Sequence, residues 1–158
     1  MAIVDIRDTG RNSARTNDVR ELAEKVQKPS DTEAITAANT ITAAESGTRY
    51  VLNVAAAKIQ TLPAPAAGLE YWFYVGATEP TGTHTVVTAS SANIIVGNVG
   101  SPEDAAGSVA TVTDADTISF VASKAVHGDF AHVWSDGTNW YVDGMCKVQD
   151  GITTTQAG

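Results

Sequence analysis

Leu69-Glu70-Tyr71-Trp72-Phe73-Tyr74-Val75 is the stretch that decides the fold class. In an extended chain successive side chains point to opposite faces. Leu69, Tyr71, Phe73 and Val75 would then share one face, and Glu70, Trp72 and Tyr74 the other. Aromatic and β-branched residues at this density favour a strand. Aromatics on both sides predict a strand that is covered on both. The preceding Pro63-Ala64-Pro65-Ala66-Ala67-Gly68 contains two prolines that cannot donate in a central ladder, so it reads as a loop or a sheet edge.

Outward from this stretch the same grammar repeats. Asn39 to Thr42 runs into a tight turn at Glu45-Ser46-Gly47-Thr48, Arg49 to Val54 alternates, and Lys58 to Leu62 is a shorter candidate. His84 to Thr88, Asn93 to Val96, Val109 to Thr113 and Thr117 to Ala122 continue the series at spacings typical of sandwiches and barrels. The insert Gly97 to Gly107, with Pro102 and three glycines, reads as the longest irregular piece, a solvated connection with an exposed contact loop as the alternative. Phe130 to Ser135 and Asn139 to Val142 flank Asp136-Gly137, whose tolerance of positive φ makes it the clearest hairpin signal. No internal repeat of fixed period is visible, which disfavours a solenoid. The expectation is an all-β domain over residues 33–150, an antiparallel β-sandwich or small barrel of jelly-roll-like type, followed by a flexible polar tail at 151–158, with a strand exchanged with a neighbour as the alternative for the tail.

Residues 1–32 read differently, as an extended arm carrying one short α-helix at about 17–28. Asn17 can cap it, Asp18 and Glu21 fall in its first turn, Val19, Leu22 and Val26 recur at helical spacing, and Pro29 stops it. A helix of three turns with so narrow an apolar stripe is marginal alone in water, so it is expected to dock on another surface.

Composition narrows the function. Of the 158 residues 43% are hydrophobic, 18% charged and only 6% aromatic, which supports a packed interior filled mainly by Val, Ile, Ala and Leu. The formal net charge is −8. The arm is nearly neutral, and beyond it only Arg49, Lys58, Lys124 and Lys147 oppose a larger set of acids, so the β-region repels phosphate backbones and no nucleic-acid partner is expected. Cys146 is the single cysteine, which leaves no intrachain disulfide. The N-terminal residues break into charge after Val4 and lack the apolar core of a signal peptide, and no run approaches the roughly 20 apolar residues of a membrane helix. The product is expected in the cytoplasm when made, with no membrane partner.

Reactive constellations are weak. His127, Asp129 and His132 come closest to a metal site, yet a turn histidine beside Gly128 explains the same letters. Glu103-Asp104 and Asp114-Asp116 could serve as acid and base on a glycosidic bond, but turns select Asp for its hydrogen bonds to the backbone. No nucleophile elbow and no phosphate-cradling loop is present. Trp134, Trp140 and Tyr141 could form a sugar platform, although Trp140 and Tyr141, adjacent in a strand, must point to opposite faces. No enzyme activity, cofactor or metal is expected.

Four ordered elements carry a resemblance: Thr40-Ile41-Thr42-Ala43-Ala44-Glu45-Ser46-Gly47, Leu62-Pro63-Ala64-Pro65-Ala66-Ala67-Gly68, Thr117-Ile118-Ser119-Phe120-Val121 and Ser135-Asp136-Gly137-Thr138-Asn139-Trp140-Tyr141-Val142. Together they resemble the capsid decoration, or head-stabilising cement, proteins of tailed bacteriophages, over roughly residues 35–144. The resemblance implies a structural virion protein on the outer surface of the mature capsid. It would clamp neighbouring subunits of the major capsid protein and associate with itself as a homotrimer. Val19, Leu22 and Val26, with Arg11 and Arg15, are the arm residues expected at the capsid or subunit contact. A tail or fibre component that binds a host receptor or glycan shares the same architecture and remains the alternative.

Overall fold

The computed structural model describes residues 31–102 and 109–158; the arm helix expected at about 17–28 lies outside them. Residues Asp31 onward form one compact unit. Twelve strands are described: β1 (Thr32–Ile35), β2 (Asn39–Thr40), β3 (Arg49–Leu52), β4 (Ile59–Thr61), β5 (Glu70–Val75), β6 (His84–Val87), β7 (Ile95–Gly100), β8 (Val109–Ala115), β9 (Thr117–Phe120), β10 (Phe130–Ser135), β11 (Trp140–Met145) and β12 (Ile152–Thr155). They make a seven-stranded sheet in the order β1-β3-β5-β10-β11-β7-β8 and a five-stranded sheet in the order β12-β9-β6-β4-β2. The mostly-β class expected from the sequence is what the chain adopts.

The purely antiparallel, jelly-roll-like pairing is not. From β1 to β6 the chain changes sheet at every strand, so β1, β3 and β5 lie side by side in one sheet and β2, β4 and β6 in the other. A chain that leaves a sheet and returns after one crossing runs in its original direction. The pairs β1–β3, β3–β5, β2–β4 and β4–β6 are accordingly parallel. The first half of the domain is thus three stacked coils, built without the sequence repeat that usually announces such stacking. The second half closes it with antiparallel pairs: β10 covers the open edge of β5, and β9 covers that of β6.

Two further expectations are corrected. The supposedly irregular stretch after Val96 is strand, because β7 extends to Gly100 in parallel register with β11. Gly97 makes this possible. Its φ of +141° suits glycine, and a Cβ there would lie 2.9 Å from the carbonyl carbon of Val142 and closer still to its oxygen. The tail at 151–158 is ordered in part, since Ile152–Thr155 pair with β9 and buried Ile152 anchors them. Polar composition misled here, because an edge strand buries few of its side chains.

One buried cluster draws on both sheets, with Tyr71, Phe73, Val133 and Trp140 from the large sheet and Val86 and Phe120 from the small one. Two sheets sharing one core are compatible with a β-sandwich. The Asp136-Gly137 hairpin forms as expected between β10 and β11. Asp136 Oδ1 accepts from the backbone N–H groups of Thr138 and Asn139, both at 2.8 Å, and Oδ2 accepts from the Tyr141 hydroxyl. Those bonds hold the Asp136 carboxyl below its ordinary value.

A short 3-10 turn at Ala43–Glu45 closes one end of the core. Glu45 accepts from the Thr42 hydroxyl at 2.6 Å and the Thr42 N–H at 2.7 Å, and from the hydroxyl of buried Tyr50 at 3.2 Å. Tyr71 donates to the Thr42 carbonyl at 2.9 Å. Burial first, then the Glu45 charge, push Tyr71 up to about 12 and Tyr50 higher still. In the unfolded chain both phenols ionise near 10. The stability they contribute is complete below that value and is lost as pH rises toward the folded values. The expected result is a base-induced unfolding that sets in above pH 10, and Tyr50→Phe should shift it to higher pH in a circular-dichroism titration.

Candidate functional site

The residues weighed for chemistry do not converge. His84 is buried and its Nε2 lies 2.8 Å from the Val54 carbonyl. Asp129 is buried too, and its two oxygens accept from the backbone N–H groups of Val126 at 2.9 Å and Lys147 at 3.0 Å. His127 is exposed at a turn, while His132 projects from the opposite face of the sheet to Asp129. Asp114 is exposed and Asp116 buried, and Glu103 and Asp104 lie outside the described residues. Among the described residues no group of three potential metal ligands assembles. Val19, Leu22, Val26, Arg11 and Arg15 also lie outside the described residues.

What does assemble is the outer face of the large sheet, turned away from the shared core. Tyr71, Phe73 and Val75 of β5 are fully buried, whereas Trp72 and Tyr74 are half-buried on the other side. The expectation of cover on both faces therefore holds for one face only. Trp140 is in the core and Tyr141 points outward, as their adjacency requires. Antiparallel register sets His132 of β10 beside Trp72, and their rings stack at 3.9 Å. His132 Nε2 is 3.3 Å from the Glu70 carboxylate, which fixes the ring in place. Trp134, 38% exposed, stacks on Tyr141 at 4.3 Å.

The strand registers reveal a longer feature. Reading across the sheet, one residue per strand, the outer face carries Ala34, Val51, Tyr74, Phe130, Met145, Gly100 and Val109. No member is charged or polar apart from the Tyr74 hydroxyl. Tyr74 and Phe130 rings lie 5.9 Å apart. The Met145 thioether lies over Gly100, 3.4 Å from where a Cβ would sit, and fills the gap that the glycine leaves in the row. Met145 is nonetheless 48% exposed and Val109 52%. Six inter-strand steps of about 4.8 Å make the row roughly 29 Å long.

Such a row does no acid–base or nucleophilic chemistry. It offers apolar area to another surface, and contiguous exposed apolar area of this kind marks interaction sites. Sequence reasoning found Trp72, Tyr74, Phe130, Trp134 and Tyr141 as strand residues but not the row, because its members come from seven separate strands. Comparison with family models, with curated proteins and with solved structures returns no match for this chain.

Proposed function

We propose that this chain is a structural protein of a tailed-bacteriophage virion, which binds the outside of the mature capsid and stabilises it by clamping neighbouring major capsid subunits, as a homotrimer. The single observation that carries an assembly role is the apolar row across the outer face of the large sheet, with Met145 and Val109 exposed on it. The four ordered sequence elements that resemble capsid decoration proteins carry the capsid part. In this reading the two sheets are the halves of a β-sandwich, and the arm residues Arg11, Arg15, Val19, Leu22 and Val26 are the capsid contact. A protein that binds only the expanded lattice lowers the free energy of that state by mass action, with no reaction needed.

The test is immunogold labelling of purified virions with an antibody to this chain. Label distributed over the whole head is the expected result, and deletion of Met1 to Lys28 should abolish binding of the purified protein to undecorated heads. A tail or fibre component that binds a glycan is the second reading, favoured by the partly exposed Trp134–Tyr141 pair. Label confined to tail tip or fibres, with saturable glycan binding lost in Trp134→Ala, would replace the first reading by the second.

A further inference from the structure

The flanks of the apolar row differ from one another in a systematic way. On one side, two residues from Tyr74, Phe130 and Met145 along their own strands, stand Trp72, His132 and Asp143. On the other side the same strands continue into Gly76, Gly128 and Lys147. Across these three strands one flank carries two rings and the Asp143 carboxylate, and the other carries two glycines, with Asn53 packed against Gly76, and the Lys147 ammonium. Lys147 donates to the carbonyl of His127, a neutral acceptor, and leans across Gly128 so that its Nζ lies 3.2 Å from where a Cβ would sit there.

A rotation axis laid along the row keeps every strand at its own place along the axis. It also brings the first flank of one copy against the second flank of the next. Trp72 then meets Gly76 with Asn53 beside it, His132 meets the Lys147 side chain where it crosses Gly128, and Asp143 meets Lys147. Asp143 and Lys147 are then opposite in charge at matching height, and Arg49, beside Trp72 on the same flank, meets the neutral Asn53 that packs against Gly76.

The width of the row selects the number of copies. Two sheets packed flat on one another bury several rows on each side. Here that would enclose the exposed Arg49 and Asp143, at the cost of desolvating charge. Three copies meeting along a line bury only the row and leave both flanks at a wetter rim. We infer that the apolar row is the surface through which this chain contacts copies of itself, three of them closing about an axis that runs along the row. The inference rests on the homotrimer reading above and adds to it the surface, the direction of the axis and the pairing of Asp143 with the Lys147 of the next copy.

Size-exclusion chromatography with light scattering of the full chain tests it, with circular dichroism to show that each variant is folded. The unmodified protein should elute at three times the 16.4 kDa chain mass. Met145→Glu and Val109→Glu alter exposed side chains and should leave the fold intact. Each places a charge in the dry seam, so half-assembly should require on the order of tenfold more protein or more. Asp143→Lys and Lys147→Glu should each weaken the trimer, and the double exchange should restore it. A trimer indifferent to both glutamate variants would overturn the row as its seam while leaving the homotrimer reading in place. A monomeric or dimeric wild type would overturn the inference, with the capsid role decided separately by the gold label. A double exchange no better than the single ones would overturn the proposed pairing.

Discussion

Gly97→Ala is expected to be the most damaging single substitution among the described residues. Gly97 faces Val142 in the parallel pair of β7 and β11, the pairing that attaches β7 and β8 to the rest of the large sheet. Its φ is +141°, and the added methyl group would overlap the Val142 carbonyl. Adopting that backbone conformation costs a residue with a Cβ about 1–3 kcal/mol. Relieving the overlap requires the strands to separate locally, with ladder hydrogen bonds lost at about 1 kcal/mol each. The sum, about 3–5 kcal/mol, is a large part of the 5–15 kcal/mol typical of a domain. Urea unfolding should show a correspondingly lower midpoint. A variant within about 0.5 kcal/mol of wild type would mean that β7 does not approach β11 as described.

Asp129→Ala is expected to follow closely. The side chain is buried between the β5–β10 pairing and the end of β11, and it holds two backbone N–H groups, those of Val126 and Lys147. Removing the carboxylate orphans both donors. Hydrogen bonds to a charged acceptor contribute about 1.5–3 kcal/mol each, so a loss of about 3 kcal/mol or more is the expected magnitude. Asp129→Asn keeps one acceptor oxygen and should recover roughly half of it. Equal losses in the two variants would show that packing, not hydrogen bonding, is what the residue supplies. The substitution also loosens Lys147, so on the trimer proposed above Asp129→Ala should assemble less tightly than its folded fraction alone explains.

How much of this was legible beforehand depends on the range of the interaction involved. The alternation in Leu69–Val75 and the Asp136-Gly137 turn are local signals, and both led to the observed strands and hairpin. Direction of pairing is not local. Arg49–Leu52 would alternate in the same way whether its neighbour ran with it or against it, so the parallel pairs stayed hidden. Gly97-Asn98-Val99-Gly100 read as loop because two glycines usually break a strand, whereas here Gly97 admits a neighbouring backbone. Polar Thr153–Thr155 read as tail because an edge strand can be held by its hydrogen bonds and one buried neighbour, Ile152. The apolar row was the least accessible of all. Each of its members looks like an unremarkable outward residue until seven registers are known together.

The alternation of the first six strands between the sheets also sets the order of events during synthesis. β1 to β6 emerge from the ribosome first and hold most of each other's partners, so the stacked coils can begin to form early. The last coil then presents β5 and β6 as two unpaired edges, since their covers, β10 and β9, are encoded much later in the chain. At about 5–20 residues per second, the nascent chain carries those open edges for several seconds. Neighbouring nascent chains on one message share the same open edges in the same register. Cells that produce this protein in quantity therefore face their greatest risk of misassembly before release, and slowing translation after Val87 should lower the soluble yield.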